Sequence, residues 1–317
     1  MTVVALFALP AAQAVAAQPS YPDKPIRWIS PFAAGGGSDL TTRAVALKLS
    51  ELLKQTVVVD NRVGASGNIG AEIATRAPAD GYTLVTMTVS IVTNHAVSSK
   101  PPFDILQDFS HVTQLTAQPY VLITHPSIKA NSVKEFIALA KSRPGTLNYG
   151  SSGIATLQHL AGALFGATTQ TDLVHIPYKG GGPALTAVVA GEVDFVVQSP
   201  GLAFPNIRAG KLKVLVVAGS KRLPLASDAP TAEEVGLPEF KSRASTGFMA
   251  PARTPRPIID RLNGEITRYL NTPEARKYFA DAGYDLIPGP PEEFTRYQLD
   301  ELERWSAVAK AAKIQVE

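Results

Sequence analysis

The chain has 317 residues, 45% of them hydrophobic, so it is long enough for two lobes and apolar enough to fill a core in each, which excludes a disordered protein. It has no cysteine, which excludes disulfide scaffolds, thiol nucleophiles and sites built on zinc–thiolate or cysteine-ligated iron–sulfur bonds. Its 30 Lys and Arg against 27 Asp and Glu give a net charge of only +3, without the basic run that tracks a nucleic-acid backbone, so no nucleic-acid partner is expected.

The N-terminal stretch is predicted to be a targeting signal. No charged residue precedes Asp23, residues 3–9 form an apolar run, and small residues follow at the spacing of a cleavage site near Ala16 or Ala17. We therefore predict a secretory signal peptide over residues 1–17, with a frayed apolar tail as the alternative. The run is far shorter than the roughly 20 apolar residues of a membrane span. The mature protein is expected to be soluble and periplasmic.

The first part of the mature chain alternates short apolar runs with helical patterns, which is typical of α/β folds. Strands are predicted over Ile26–Ser30, Thr56–Asp60 and Thr83–Val89. A helix is predicted to begin with Ser38 as its N-cap. Its apolar stripe is expected to consist of Leu40, Ala44, Leu47, Leu49, Leu52 and Leu53. A second helix runs through Glu72–Arg76.

The middle of the chain repeats this alternation, and the end is almost wholly helical. Further strands are predicted over Leu147–Gly150, Leu173–Ile176, Val193–Gln198 and Val214–Ala218. The helices between them are predicted over Val133–Ser142, Thr156–Phe165 and Ala184–Ala190. The closing helices are predicted over Pro257–Leu270, Pro273–Ala282 and Pro291–Lys313.

Two strands closed by proline bracket the middle third of the chain and predict a hinge. The chain is expected to leave the first lobe through Val121–Thr124 and to return through Gly247–Ala250. This assigns residues 18–122 plus 249–317 to lobe 1 and residues 123–248 to lobe 2. A two-strand crossover is a natural hinge for closing a cleft. The alternative is one large sheet that contains both strands.

Signatures of catalysis are missing from the sequence. There is no G-x-S-x-G elbow, no H-E-x-x-H pair and no Walker lysine after the glycine run. The five histidines show no metal-ligand spacing, and the glycine runs miss the dinucleotide fingerprint. We therefore expect no catalytic residue, no cofactor and no metal.

A different device occurs three times: a strand, a loop of small residues, and the start of a helix. It appears at residues 31–39, 149–156 and 177–183. Loops without side chains let a ligand approach the backbone, and the free N–H groups at a helix N-terminus attract an anion. Three such loops split between two lobes favour a shared anion site. The alternative is that the glycines only make tight turns.

Three polar residues have two interpretations each. Asp39 is either a favourable charge at a helix start or a residue that orients the glycine loop or a water molecule. Asp194 lies among apolar neighbours, so it is either a structural hydrogen-bond hub or a polar contact to the ligand. His159, which follows the serine loop at helical spacing, is more often a core histidine than a ligand-binding one.

The sequence resembles the Bug family, the extracytoplasmic solute-binding proteins of tripartite tricarboxylate transporters. The matching segments occur in order along almost the whole mature chain. They include Tyr21–Ile26, Pro31-Phe32 with Gly35-Gly36 and Asp39, Asp80–Leu84, Tyr149–Ser151, His175–Gly180, Gly247-Phe248 with Ala250-Pro251, and Glu303–Trp305. Each is short, but together they are specific.

The resemblance implies an α/β type II periplasmic-binding-protein fold with two α/β lobes joined by a two-strand hinge. It implies a small carboxylate held in the interlobe cleft. The ligand-binding residues expected from it are Phe32, Ala33, Ala34, Gly35, Gly36, Asp39, Ser90, Ser151, Ser152, Thr156, Tyr178, Gly180, Gly181 and Asp194. Relatives commonly have a second glycine after the serine loop where this chain has Ile154–Thr156, which is expected to narrow one wall.

The function expected from the sequence is capture of a small carboxylate by a monomer, which delivers it to the membrane components of a tripartite tricarboxylate transporter. An exported sensing component of a signalling system would share the fold and is one alternative. An exported enzyme using His159 or His175 with a carboxylate is the other.

Overall fold

The computed structural model describes residues 21–224 and 226–315, so the predicted signal peptide lies outside the described residues. The first elements in chain order are β1 (Ile26–Ser30), α1 (Gly37–Leu53), β2 (Val57–Asn61), a 3₁₀ turn (Ala65–Gly67), α2 (Asn68–Thr75), β3 (Thr83–Thr88), α3 (Val89–Val97) and β4 (Phe109–Pro119). Next come β5 (Val121–Thr124), α4 (Val133–Ser142), β6 (Asn148–Ser151), α5 (Leu157–Thr169), β7 (Val174–Pro177), α6 (Gly181–Ala190), β8 (Phe195–Gln198), α7 (Pro200–Arg208) and β9 (Lys213–Val217). The last are β10 (Arg243–Pro251), α8 (Arg256–Leu270), α9 (Pro273–Asp281), β11 (Asp285–Leu286) and α10 (Pro291–Ala311).

The first sheet has six strands in the order β11-β4-β10-β3-β1-β2 and helices on both faces. β1 pairs in parallel with β2 and β3, whereas β10 runs antiparallel to β3 and β4. Because side chains alternate along a strand, Trp28 and Ile29 of β1 point to opposite faces. Trp28 belongs to the core that includes Val45 of α1 and Ile266 of α8, and Ile29 to the core that includes Ala71 of α2.

The second sheet has five strands in the order β7-β6-β8-β5-β9 and is built the same way. β6 pairs in parallel with β7 and β8, and β5 runs antiparallel to β8 and β9. On one face Phe195 joins the core with Phe136 of α4 and Phe165 of α5. On the other face Val196 joins the core with Val188 of α6. Two layered α/β units therefore share one chain.

The chain passes between the two sheets at two adjacent positions. Tyr120 separates β4 of the first sheet from β5 of the second, and its N–H donates to the Ser242 carbonyl at 2.8 Å. Ser242 directly precedes β10, which pairs in the first sheet over its whole length. Ala218, which follows β9, receives a hydrogen bond from the Ser242 N–H at 3.0 Å and donates one to the Tyr120 carbonyl at 2.8 Å. These bonds fasten both connections to one another.

The C-terminal helix α10 runs along both units. Phe294 near its start lies in the core of the first sheet with Met249 of β10. Trp305 and Ala309 near its end lie in the core of the second sheet with Phe165. One helix of 21 residues therefore braces the two lobes. In the part of the chain that the structure describes, no helix is long and apolar enough to cross a membrane.

The apolar stripe predicted for α1 is wrong in part. Leu40 and Leu47 are 55% and 68% exposed, whereas the face toward the sheet carries Thr42 and Val45. Thr42 can be buried because its hydroxyl is hydrogen-bonded to the Thr86 hydroxyl of β3 at 2.7 Å. The prediction considered only apolar residues, so it placed Leu40 and Leu47 on the buried face and left out Thr42.

The sequence patterns also missed several elements. The strand predicted to end at Val89 ends at Thr88, and Val89 begins α3. α7 was not predicted, although Pro200 at its start favours a first helical turn. β10 extends beyond the predicted Gly247–Ala250 at both ends because it pairs with β4 along its whole length.

Candidate functional site

The predicted small-residue loops all follow the carboxyl ends of parallel strands. The first follows β1, and the second and third follow β6 and β7. The passage between the sheets lies at the same edges, because Pro119 pairs with Arg243 at the end of β4 and Val121 pairs with Gln198 at the end of β8. The loops therefore face the junction of the two lobes, which is where open α/β sheets usually bind ligands.

The first loop ends in a helix N-terminus that no side chain caps. Gly35 has a φ of 81°, a left-handed conformation that glycine adopts without strain. The Gly36 N–H donates to the Ala33 carbonyl at 3.2 Å and closes the turn. Gly36 is the N-cap of α1, not the predicted Ser38, because the helix starts two residues earlier. The loop is exposed from Ala33 to Gly37, so a ligand can reach its backbone.

Asp39 holds this loop in place from beneath. Its carboxylate is fully buried, and Oδ2 accepts hydrogen bonds from the Gly35 N–H and from Arg43 Nε, both at 2.9 Å. Oδ1 accepts from Asn61 Nδ2 at 2.7 Å, and the same amide group donates to the Phe32 carbonyl at 2.9 Å. Asp39 and Asn61 thus fasten both ends of the loop.

The charge of Asp39 is stabilised by these contacts. Burial by itself raises the pKa of the Asp39 carboxyl, but the hydrogen bonds from Arg43, Asn61 and Gly35 outweigh burial and hold the pKa below its ordinary value. The carboxylate stays ionised at neutral pH with both oxygens engaged. Of the interpretations open from the sequence, this geometry favours a residue that orients the glycine loop.

The second loop is held by a buried serine and a threonine cap. Ser151 Oγ accepts a hydrogen bond from the Gly153 N–H at 3.1 Å, and it lies 3.0 Å from the Gly153 carbonyl and 2.6 Å from His175 Nε2. Thr156 is the N-cap of α5 and accepts from the His159 N–H. Its own hydroxyl donates to the Gly153 carbonyl at 2.8 Å. The predicted helix start is confirmed to within one residue.

Two stacked histidines lie beneath this loop. The rings of His159 and His175 are 3.7 Å apart and inclined by 13°. The Ala155 N–H donates to His159 Nδ1 at 3.2 Å. Burial lowers the pKa of His159 to about 4, and burial together with the adjacent ring lowers the pKa of His175 to about 3. Both rings are neutral at pH 7, and within the described chain neither has a carboxylate as hydrogen-bond partner.

The third loop is supported by two glutamines that sequence reasoning missed. Gly180, with a φ of 122°, is the N-cap of α6, and no side chain caps this helix. Gln198 Nε2 donates to the Gly181 carbonyl at 3.0 Å, while its Oε1 accepts from the Ser199 N–H at 2.9 Å and from Gln158 Nε2. The amide network joins the starts of α5, α6 and α7.

A second missed group joins the two lobes. Ser199 Oγ, after β8 of the second sheet, donates to Oε1 of Gln118 in β4 of the first sheet at 2.7 Å. Gln118 Nε2 then donates to the carbonyls of Gly283 at 2.8 Å and Ala282 at 3.3 Å. The only sequence signal was a glutamine near the end of each of these strands, and no local pattern indicated that they would meet.

The structure places most of the predicted residues of each lobe at the edge of its sheet that faces the junction. The Tyr178 N–H donates to the Ser151 carbonyl at 3.0 Å, so the second and third loops are adjacent. Ser152, in the second loop, is half-buried. Ser90 lies half-buried in the first turn of α3, which follows β3 at the same edge as the first loop.

Asp194 is a correction to the predicted site. It precedes β8, and its Oδ2 accepts a hydrogen bond from the Asn148 N–H at 2.8 Å, while its own N–H donates to Asn148 Oδ1 at 3.1 Å. A strand rises about 3.3 Å per residue, so the four residues of β8 put Asp194 on the order of 13 Å from the carboxyl edge. Asp194 therefore has the structural role that was its alternative interpretation. Its hydrogen bonds to Asn148 join β6 to β8 at the edge of the sheet opposite the loops.

Three of the buried polar atoms that have no partner among the described residues lie near the same edge as the loops. Ser30 Oγ at the end of β1, Thr88 Oγ1 at the end of β3 and Gln158 Oε1 at the start of α5 have no hydrogen-bond partner among the described residues. Buried polar groups in proteins are nearly always hydrogen-bonded. These three atoms thus mark both sides of the junction as polar.

The arrangement is suited to binding an anion. The N-termini of α1, α5 and α6 point toward the junction, and each contributes about 0.3–1 kcal/mol to holding a negative charge. Backbone N–H groups and hydroxyls supply the donors, so no basic patch is needed. The described residues contain no group of three or more His, Asp and Glu placed to hold a metal ion.

The sequence matches a family model described as the tripartite tricarboxylate transporter family receptor over residues 41–314. It is also 34% identical over 293 residues to Protein BugT of Bordetella pertussis strain Tohama I, covering 92% of this chain and 90% of that protein.

Solved structures with the same two-lobed fold include carboxylate complexes. A structure described as a periplasmic transporter is 36% identical with a TM-score of 0.86 and covers 94% of this chain and 100% of its own. R. palustris Rpa4515 with adipate is 33% identical with a TM-score of 0.86, covering 93% and 99%. MatC (Rpa3494) from Rhodopseudomonas palustris with bound malate is 31% identical with a TM-score of 0.81, covering 91% and 99%. The predicted fold class is confirmed.

Proposed function

The chain belongs to the tripartite tricarboxylate transporter receptor family, and on that premise we propose that this solute-binding protein captures a small carboxylate between its lobes and delivers it to the membrane components of such a transporter. The observation that carries the proposal is the common direction of three helix N-termini, from both lobes, toward one junction. Two of these helices, α1 and α6, have no side-chain cap, so their first N–H groups are free for an anion.

The solved relatives support the chemical class of ligand. Rpa4515 holds adipate and MatC holds malate, both of them dicarboxylates. The two relatives bind different acids, so the acid taken by this chain follows from its own residues. We propose that the site consists of the predicted residues at the junction edge, with Asp39 orienting the first loop. Asp194 is left out because of its place in the sheet.

The remaining predictions complete the proposal. We propose that the lobes follow the two sheets, so the predicted boundaries shift to the passage at Tyr120 and Ser242: Val121 and Leu122, predicted in lobe 1, pair in the second sheet, and residues 243–248, predicted in lobe 2, pair in the first. The hinge then lies at the hydrogen-bonded passage beside Tyr120. The protein acts as a monomer in the periplasm after removal of residues 1–17. It catalyses no reaction, in keeping with its membership of a family of transporter receptors.

The proposal is tested by ligand screening. Purified protein, unfolded and refolded to remove any trapped ligand, is titrated by calorimetry with aliphatic and aromatic carboxylates, and with sugars and metal cations as controls. We expect at least one carboxylate to bind, to raise the melting temperature in proportion to its concentration, and to be recovered unchanged by mass spectrometry. Binding of only sugars or cations contradicts the proposal, and recovery of a converted product would indicate an enzyme.

A further inference from the structure

The orientation of the Gln158 side chain is fixed by backbone groups. The Ser199 N–H can only donate, so the atom of Gln198 that lies 2.9 Å from it is the oxygen Oε1. The Gly181 carbonyl can only accept, so the atom 3.0 Å from it is Gln198 Nε2. Gln158 must therefore present its Nε2 to Gln198 Oε1. Its own oxygen is directed away from this pair.

That oxygen is a buried acceptor without a donor. Gln158 is only 4% exposed, and its Oε1 has no hydrogen-bond partner among the described residues. A buried carbonyl oxygen left without a donor destabilises a protein, so such an atom in a binding protein calls for a partner.

Gln158 lies beside the helix N-termini that the second lobe contributes to the proposed site. Gln158 is in the first turn of α5, directly after the Thr156 cap. A Cβ placed on Gly181, the first residue of α6, would lie 3.2 Å from Gln158 Nε2. The side chain therefore lies near the N-termini of α5 and α6. It is hydrogen-bonded to Gln198, which in turn donates to the Gly181 carbonyl at the third loop.

The electrostatics of this position favour a neutral donor. The positive ends of α5 and α6 attract a carboxylate and repel an ammonium group. Asp39, the carboxylate beside the first loop, already accepts hydrogen bonds from three donors, so neither of its oxygens is free for a cation. A hydroxyl group carries the proton that Gln158 Oε1 accepts without adding positive charge.

We propose that Gln158 Oε1 is a specificity-determining acceptor, which selects carboxylates that also carry a hydroxyl group over their unsubstituted counterparts and over amino acids. This inference rests on the proposed carboxylate site. It assigns Gln198 a positioning role, because Gln198 turns the Gln158 amide so that the oxygen faces the ligand.

The test compares matched ligands by calorimetry. The wild-type protein is titrated with succinate and malate, with glutarate and 2-hydroxyglutarate, and with aspartate and glutamate. We expect the hydroxy acid to bind about tenfold more tightly than its parent for the chain length that fits the cleft, and the amino acid to bind more weakly than either. In Gln158→Met, which keeps the side-chain length, the ratio should fall to about one through weaker binding of the hydroxy acid.

A matched control is Gln107→Met, the same change at an exposed glutamine in the connection between α3 and β4, which should keep the wild-type ratio. Equal affinities within each pair for the wild-type protein, tighter binding of the amino acids, or an unchanged ratio in Gln158→Met would each overturn the inference while the proposed function stands. Failure of every carboxylate to bind would instead remove the proposed function. If Gln158→Met does not fold, the wild-type ratios decide alone.

Discussion

At the level of single residues, Ser151 shows how a loop of small residues can be rigid. Its buried hydroxyl is shared between the Gly153 backbone and His175 Nε2. Glycine at 153, with a φ of 133°, takes a conformation that other residues rarely adopt, and the serine holds it there. The loop is therefore preorganised, which lowers the entropy cost of binding a ligand.

Removing this hydroxyl should cost stability. In Ser151→Ala the Gly153 N–H and His175 Nε2 lose their partner, so we expect the free energy of unfolding to fall by about 1–3 kcal/mol. Urea denaturation of the ligand-free protein measures the change. Ser152→Ala, at the half-buried neighbour, is the control and should shift it by less than about 0.5 kcal/mol. Equal stability of the two variants would show that the Ser151 contacts contribute nothing.

The stacked histidines should make stability depend on pH. The ordinary pKa of histidine is near 6.5, whereas burial lowers the pKa of His159 to about 4 and of His175 to about 3. The unfolded chain therefore binds more protons than the folded one below pH 6.5, so stability is full above that pH and falls as the pH decreases toward 3.

Melting curves between pH 7.5 and 4 test this dependence. The wild-type melting temperature should decrease progressively below pH 6.5, and His175→Gln, which keeps a polar partner for Ser151, should show a shallower decrease. If the two proteins lose stability with the same slope, the histidine pair is not a source of the pH dependence.

At the level of elements, the start of α7 connects the third loop to the first lobe. Gln198 at the end of β8 supports the third loop, and the next residue, Ser199, donates across the junction to Gln118 of β4. Because the two residues are adjacent in the chain, we expect a shift of the third loop on ligand binding to be transmitted to the contact between the lobes.

Breaking the bond across the junction should weaken ligand binding without touching the ligand. Ser199→Ala removes the donor to Gln118, and we expect the affinity for the bound carboxylate to fall about two- to tenfold, the range of one hydrogen bond. Calorimetry measures the affinity, and small-angle X-ray scattering of the liganded protein should show a larger radius of gyration. The control is Ser220→Ala, at an exposed serine. An affinity equal to that of the control contradicts the link.

At the level of the whole molecule, the two tryptophans occupy different environments. Trp28 is buried inside the first lobe, where its Nε1 donates to Thr86 Oγ1 at 2.9 Å. Trp305 lies on α10, in the core that combines residues of the second sheet with Val89 and Val97 of α3. We therefore expect motion of one lobe against the other to change the surroundings of Trp305 and to leave those of Trp28 constant.

Tryptophan fluorescence should report this motion through one residue. We expect the ligand-induced change in emission to persist in Trp28→Phe and to disappear in Trp305→Phe, with circular dichroism confirming that both variants fold. A change that disappears in Trp28→Phe instead would place the rearrangement inside the first lobe.

Much of this protein was determined by the sequence itself. The alternation of strands and helices, the Thr156 cap and the three small-residue loops are local features, and local residue types specify them. The family was recognisable because its motifs are short segments in a fixed order, and the fold implied by them is confirmed.

Only the tertiary structure decided which face of α1 is buried, where Asp194 lies, and how Gln118, Ser199 and α10 join the lobes. These features depend on which strands become neighbours, and residues that meet across a sheet or a junction can be far apart in the chain. Hydrogen bonds to such distant partners let polar residues such as Thr42 be buried, so hydrophobicity along the chain could not reveal them.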